Sequence, residues 1–275
     1  MFLVTGATGN VGSELVRALA DSGQQVRAMI RGGQSGLPPG TETMTGNLND
    51  PASVRPALDG VEGMFLLPGY ADMPGVLAEA RRAGVSRVVQ LSGMSADSGD
   101  MSNAITRYMA ESERAVRDCG LDWTILRPAA FMSNTLQWVP QLRAGDLVRA
   151  PFGQVRVAMT DPADIAAVAA LALAVPGHAG QVYELSGPQP LTPADRVTIL
   201  GRVLGRELRF EAQSDDEARA EMVATMPVRY VDAFFRFYAD GTLDESKVLP
   251  TVEDLTGRPP RTFAQWADAH AASFR

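Results

Sequence analysis

The chain is poor in three residue types on which much protein chemistry depends: one cysteine, one lysine and two histidines in 275 residues. With Cys119 alone no intrachain disulfide can form, so a reducing, cytoplasmic setting is expected. His178 and His270 lie far apart in sequence, which argues against a zinc or iron site, and no metal is expected. No stretch approaches the length of apolar sequence needed to span a bilayer, and the first residues read as a strand instead of a charged leader. The net charge of −7 argues against a track for nucleic-acid phosphates. Neither a membrane nor a nucleic acid is therefore an expected partner. Lys247 is the only lysine; every other basic side chain bar the histidines is arginine, which restricts any mechanism that needs an amine.

What is present is ordinary globular sequence, 45% hydrophobic and 21% charged, with a regular rhythm. Met1–Thr5 is a short apolar run, followed by "GATGNVG" and a segment in which Leu15, Val16 and Leu19 recur at helical spacing until Gly23 stops it. Strands are expected at Gln25–Ile30, Glu42–Thr45, Gly63–Leu67, Arg87–Leu91 and Asp122–Leu126. Helices are expected between them at Pro51–Leu58, Pro74–Ala83 and Ile105–Cys119. Strands alternating with helices at this pitch predict an α/β fold, a Rossmann-type, doubly wound parallel sheet. After Arg127 the rhythm loosens. Asp161-Pro162-Ala163-Asp164 and Thr192-Pro193-Ala194-Asp195 share one helix-start recipe, and Ser214…Glu217 and Thr262…Gln265 have capping-box spacing. Further strands are expected at Gln181–Leu185 and Glu207–Phe210. We therefore expect a nucleotide-binding part over residues 1–150 and a smaller, more helical lobe over 151–275 that completes the sheet and covers a cleft.

Gly6-Ala7-Thr8-Gly9-Asn10-Val11-Gly12 lies between the first strand and the first helix. Glycines there permit a tight turn and a close approach of backbone to a pyrophosphate, which a helix N-terminus then receives through free N–H groups. Gly6, Thr8, Gly9, Asn10, Val11 and Gly12 are the expected cradle of a dinucleotide. Where the second strand ends, an acid would hold the ribose hydroxyls of NAD; Arg31 stands there instead, followed by Gly32 and Gly33. A guanidinium suits the 2′-phosphate of NADP, or stacks on adenine with either cofactor; NADP(H) is the favoured expectation over NAD(H). Asn47 and Leu48 in "GNLND" reach the adenine, form a turn capping the next helix through Asp50, or do both. Leu67, Pro68 and Tyr70 end the fourth strand beside the switch point of the sheet, where the second ribose passes.

"RYMAESERAV", residues 107–116, resembles half of a Tyr-x-x-x-Lys catalytic motif, with Ser112 standing where the lysine would be. Tyr108 and Ser112 are one helical turn apart and share a face, but a serine is neutral and cannot lower a phenol pKa of about 10. Tyr108 either donates as a neutral phenol or is packing.

Together with "VTGATGNVG", the segments "RVVQLSGMSA" (87–96), "GLDWTILRPAAFMSN" (120–134) and "YELSGPQPLTPAD" (183–195), and the tail "VEDLTGRPPRTFAQWADAHAASF", resemble the NmrA-like group of atypical short-chain dehydrogenase/reductases. The likeness covers nearly the whole chain. It implies a Rossmann domain with a small C-terminal lobe, an active site in the cleft between them, and no metal or flavin. It also implies a hydroxyl at Ser92 facing substrate or nicotinamide, with Pro128, Phe131, Met132 and Asn134 on that side. Phe131, Met132, Trp138, Phe152 and Met159 are expected to form an aromatic-friendly pocket, with Tyr70 on its substrate side. Among Phe234, Phe235, Phe237 and Tyr238, too crowded for one helix face, some are expected to cover the cleft or a subunit contact. The group contains quinone and aromatic-dye reductases, so the expected activity is NADPH-dependent hydride transfer to a quinone or conjugated aromatic acceptor. A variant of that activity supports oxygen-dependent hydroxylation of an aromatic polyketide. The alternative is a non-catalytic redox sensor that binds NAD(P) and docks on a protein. A homo-oligomer is compatible with either.

Overall fold

The computed structural model describes residues 1–32 and 36–275. Gly33, expected behind Arg31, lies outside them. Seven strands form one sheet: β1 (Phe2–Thr5), β2 (Val26–Ile30), β3 (Glu42–Thr45), β4 (Gly63–Leu66), β5 (Arg87–Leu91), β6 (Asp122–Pro128) and β8 (Gln181–Leu185). Their order is β3-β2-β1-β4-β5-β6-β8, and every neighbouring pair is parallel. The chain winds one way from β1 to β3 and the other way from β4 onward, so the β1/β4 boundary is the switch point. A ligand crevice opens at the carboxyl ends of the strands there.

Helices α1 (Asn10–Asp21) and α6 (Pro162–Ala174) cover one face. Leu15, Val16 and Leu19 of α1 meet Ile165, Val168 and Ala169 of α6 over Val4 and Phe65 of the sheet. α6 is apolar nearly all round because it lies buried between α1 and the strands. The opposite face carries α2 (Pro51–Val54), α3 (Met73–Arg82) and α4 (Ala104–Arg117), with Leu58, Leu77 and Val116 packed on Leu3, Met64 and Ile125. Both faces are covered, which is why β1 and β4 are buried without alternation.

The smaller lobe is built by α5 (Val139–Ala144), β7 (Leu147–Ala150), α7 (Pro193–Leu204), β9 (Arg209–Ala212), α8 (Asp215–Val223), α9 (Val228–Tyr238), α10 (Thr251–Thr256) and α11 (Phe263–Ala269). α10 returns to the large sheet, where Val252 and Leu255 join the core beside α6. The Thr192, Ser214 and Thr262 capping boxes all form, each side chain accepting from the third backbone amide of its helix. Asp161 caps α6, but Asp164 at the third position turns to Arg258 and the Arg261 amide and ties α6 to the chain beyond α10. The last expected strand begins two residues later than the pattern suggested, at Arg209, and pairs in parallel with β7, Leu147 opposite Arg209.

Candidate functional site

At the switch point the glycine loop is fixed by close approach. Gly6 adopts φ 63°, and a Cβ on Gly12 would stand 2.1 Å from the Gly6 carbonyl oxygen, so α1 is pressed against the loop closer than any side chain permits. The Gly9 amide donates to that same carbonyl at 2.9 Å. No side chain caps α1 and no acid lies in its first turn, as also at α5 and α9, whereas α3, α4, α6, α7, α8 and α11 are each capped by a side chain. Thr8, Gly9 and Asn10 are exposed. A helix start left bare, electropositive and open fits a pyrophosphate, and Gly6, Thr8, Gly9, Asn10, Val11 and Gly12 fit its cradle.

Arg31 directly follows β2 and is exposed. Leu48 does not face the cradle: the side chain is buried in the core under α2 and α3. Asn47 is exposed, and its Oδ1 accepts from the Asn49 amide at 3.0 Å, forming the turn from which Asp50 caps α2.

Beyond β4, Thr5 Oγ1 donates to the Phe65 carbonyl at 2.9 Å and accepts from the Leu67 amide, which aligns the ends of β1 and β4. Leu67 lies against Gly6, and Pro68 follows, half-buried. The Gly69 amide then donates to Ser112 Oγ at 3.0 Å, and that hydroxyl donates to the Tyr108 carbonyl at 2.7 Å. Ser112 is thus a buried clamp between α4 and the loop after β4. Tyr108 lays its ring against Gly69 and stands edge-on to Tyr230 of α9. Burial, and next the neighbouring Tyr230, push its phenol pKa above the ordinary value, so it is a neutral donor at physiological pH. Lys247 is exposed in the smaller lobe and does not replace the missing amine.

Ser92, at the end of β5, is buried, and its hydroxyl donates to Glu113 Oε1 at 2.6 Å. Glu113 in turn takes both the Nε and a terminal nitrogen of Arg127 at 2.9 Å each, while Arg127 reaches Asp97 at 2.7 Å. Burial raises the Glu113 carboxyl, but hydrogen bonds from Arg127 and Ser92 outweigh it and hold its pKa below the usual range. This network locks the ends of β5 and β6 to α4, and it engages the Ser92 proton that was expected to face a ligand.

A cavity of about 760 Å³ opens between the loop after β6 and the smaller lobe. Asn134, Trp138, Phe152, Met159, Phe234 and Tyr238 are among its walls. Phe131 and Met132 turn away: Phe131 bridges Thr160 and packs toward the sheet, while the Met132 amide bonds the Thr160 carbonyl and the side chain enters the lobe core. Phe152 holds φ 55°, a left-handed conformation that is strained for a side chain of its size, with its ring against Phe235 and Tyr238. Phe235 and Phe237 of the crowded aromatic run are core, and Phe234 and Tyr238 cover the cavity. Tyr70 and Tyr108 instead line a second groove, between α3 and α4. Pro128 is buried at the end of β6.

Two residues that the sequence did not single out, Glu245 and Arg196, complete the site together with Tyr238. Glu245 is buried; its Oε1 accepts from the Ala130 amide at 3.0 Å and its Oε2 from the Tyr238 hydroxyl at 2.8 Å, which ties the β6 loop to α9. Burial raises its pKa to about 7, so it titrates near neutrality. Tyr238, pushed well above its ordinary range by burial and by Glu245, stays protonated. Arg196 lines the cavity with its guanidinium over the Trp138 ring, 4.8 Å from the centroid. Among the described residues, no group of three or more His, Cys, Asp or Glu side chains is placed to hold a metal. Among them also, no helix is long and apolar enough to cross a membrane.

A doubly wound sheet with a bare helix start at its switch point defines a nicotinamide-dinucleotide-binding protein. The family model described as NAD(P)H-binding matches residues 6–176, and the chain belongs to that family, among its NmrA-like, atypical short-chain dehydrogenase/reductases. It is 44% identical to a (4-alkanoyl-5-oxo-2,5-dihydrofuran-3-yl)methyl phosphate reductase of Streptomyces griseus, over 100% of this chain and 99% of that one. It is 36% identical to an NAD(P)H azoreductase of Xenophilus azovorans, again over 100% of this chain and 99% of the relative. The crystal structure of an NADPH-dependent quinone oxidoreductase of Escherichia coli, complexed with NADPH, matches with a TM-score of 0.78 at 24% identity, over 99% of this chain and 100% of that one. The protein is an NAD(P)H-dependent oxidoreductase that lacks the Tyr-x-x-x-Lys pair.

Proposed function

We propose that the protein is an NADPH-dependent reductase that delivers hydride to a quinone or a similarly conjugated, electron-poor acceptor held in the cavity between the β6 loop and α9. The observation that carries this reading is the Ser112 clamp. With Ser112 bonded to Gly69 and Tyr108, no cation among the described residues lowers the Tyr108 phenol, which burial and Tyr230 push upward. An acceptor whose reduction depends on strong proton donation to a carbonyl oxygen is poorly served by such a site. One that gains aromaticity or keeps its new charge delocalised needs positioning more than acid help. The names of the azoreductase and quinone oxidoreductase relatives support conjugated acceptors, and the lactone in the first relative's name is also conjugated.

When bound, NADPH supplies the hydride. The Gly6–Gly12 loop and the start of α1 hold the pyrophosphate, Arg31 meets the 2′-phosphate, and Leu67 and Pro68 border the second ribose. Tyr108 lines the groove between α3 and α4 and not this cavity; in this reading its phenol reaches the crevice past Gly69, as a neutral hydrogen-bond donor from the α4 side. The Ser92–Glu113–Arg127 network keeps the strand ends rigid, and Glu245 holds the Ala130 amide so that the β6 loop cannot drift. Phe152 and Phe234 exclude water and stack on the ring, while Trp138 lies behind the Arg196 guanidinium.

The test is oxidation of NADPH by a panel of quinones, azo dyes and conjugated lactones, each with and without oxygen. Turnover of at least one conjugated class supports the reading, and cofactor binding without turnover by any of them contradicts it. Dependence of net product on oxygen tests whether a reduced ring passes electrons onward, the step that hydroxylation of an aromatic polyketide needs.

A further inference from the structure

Two arginines line the cavity, and they are treated very differently. Arg149 bonds Glu211 at 2.9 Å and Glu217 at 3.0 Å. Arg196 has no hydrogen-bond or ion-pair partner for its side chain among the described residues, and its Nε is buried without one. The acids that could neutralise it are engaged elsewhere. Asp195 accepts from the Thr192 amide and hydroxyl and lies 3.5 Å from Arg156; Glu245 takes Ala130 and Tyr238; Glu221 takes Gln213. Beneath the guanidinium lies the Trp138 ring, which offers a flat surface and an electron-rich face but no counter-charge. Two further polar atoms on cavity residues, Trp138 Nε1 and Ser133 Oγ, are also buried without partners. Trp138 Nε1 and Arg196 can only donate, and Ser133 can donate.

An unpaired guanidinium in a largely apolar wall costs stability, and a fold has no packing reason to keep it. Burial lowers its pKa to about 10, and it remains charged at neutral pH. An unpaired charge on the wall of the cavity suits an oxyanion.

We infer that Arg196 is a specificity-determining residue that binds an anionic group, a carboxylate or phosphate monoester, carried on the acceptor. The inference rests on the reading of this cavity as the acceptor site. It narrows the substrate class to conjugated rings bearing an acidic side group. The guanidinium, lying over the Trp138 ring, can meet two oxygens side by side through its terminal nitrogens, a geometry that an amine cannot reproduce.

The experiment is calorimetric titration of naphthoate, naphthyl phosphate and the neutral naphthamide into the NADP⁺-loaded protein and into Arg196→Gln and Arg196→Lys. The wild type is expected to bind at least one of the two anions about 10-fold or more tightly than naphthamide, a gap of about 1.4 kcal/mol. Whichever anion is tighter distinguishes phosphate from carboxylate. Arg196→Gln is expected to close the gap, Arg196→Lys to keep part of it. The melting temperature of Arg196→Gln is expected to hold or rise, because an unpaired charge has been removed. Equal binding of all three probes, a gap that survives Arg196→Gln, or no binding of any probe at millimolar concentration would overturn the inference. So would a lowered melting temperature with the gap intact, which would make Arg196 a packing residue. Oxidation of NADPH by menadione, a neutral quinone, is measured with the wild type in parallel. Its failure counts against the proposed reduction and leaves the binding comparison standing.

Discussion

Ser112 and Gly69 are joined by a 3.0 Å hydrogen bond from the Gly69 amide to the serine hydroxyl, and this bond occupies the place on α4 where a catalytic lysine would sit. The serine is therefore a fastener between α4 and the loop bordering the cofactor crevice, with its own proton spent on the Tyr108 carbonyl. Ser112→Ala should cost about 1 kcal/mol, the usual net loss for one such bond. Ser112→Lys forces a long charged chain into a buried position and should cost about 2 kcal/mol or more without raising activity toward quinones. Urea unfolding and steady-state kinetics on both variants check this. A gain in quinone turnover with lysine would show that the acid chemistry was missing and not merely unneeded.

Tyr108 keeps its proton at neutral pH and makes no hydrogen bond through its hydroxyl among the described residues. As a weak donor with no lysine beside it, it should be worth roughly 10- to 100-fold in kcat, at or below the low end for general acid assistance, so Tyr108→Phe should lose about that and leave NADPH affinity unchanged. Because its pKa lies above 10, this contribution should be flat from neutral to mildly alkaline pH. Full retention of kcat would reduce the residue to packing against Gly69 and Tyr230.

Arg31→Ala should weaken NADPH far more than NADH, by roughly 1.5–3 kcal/mol for a charge-assisted contact to the 2′-phosphate. Fluorescence titration of the two cofactors measures the difference. Equal weakening would leave Arg31 stacked on adenine and remove the preference for NADPH.

Glu245 carries a pH signature. Its folded pKa is raised from 4.5 to about 7, so between those values the folded protein holds a proton that the unfolded chain has released. Stability from this group therefore falls as pH rises through that window, by up to about 3 kcal/mol once pH exceeds the folded value. Glu245→Gln should lose this dependence and gain on the wild type above neutrality. Chemical denaturation of both proteins from pH 4 to pH 8 tests the slope; parallel curves would mean that Glu245 is ionised throughout.

Much of this arrangement was legible in the sequence. The parallel alternation, the glycine turn before α1 and the capping signatures at Thr192, Ser214 and Thr262 are local patterns, and each formed where its spacing indicated. β7 was not, because four residues, Leu147–Ala150, supply too short an alternation to stand out from a loop. Leu48 and Met132 were read as ligand-facing, yet a strand end that bridges Thr160 and a loop folded over α2 bury them; the direction of a side chain in irregular backbone is set by tertiary pairing. Arg196 was invisible for a different reason. Its meaning lies in the absence of a carboxylate around it, and an absence in space has no sequence pattern.

The most direct measurement compares NADPH oxidation by menadione and by an unconjugated ketone of similar size under the same conditions. A site that positions without strong acid catalysis should favour the quinone in kcat/KM by at least about 100-fold, the lower bound of what a proper proton donor contributes. Comparable turnover of the simple ketone, or no turnover of either, would contradict the account.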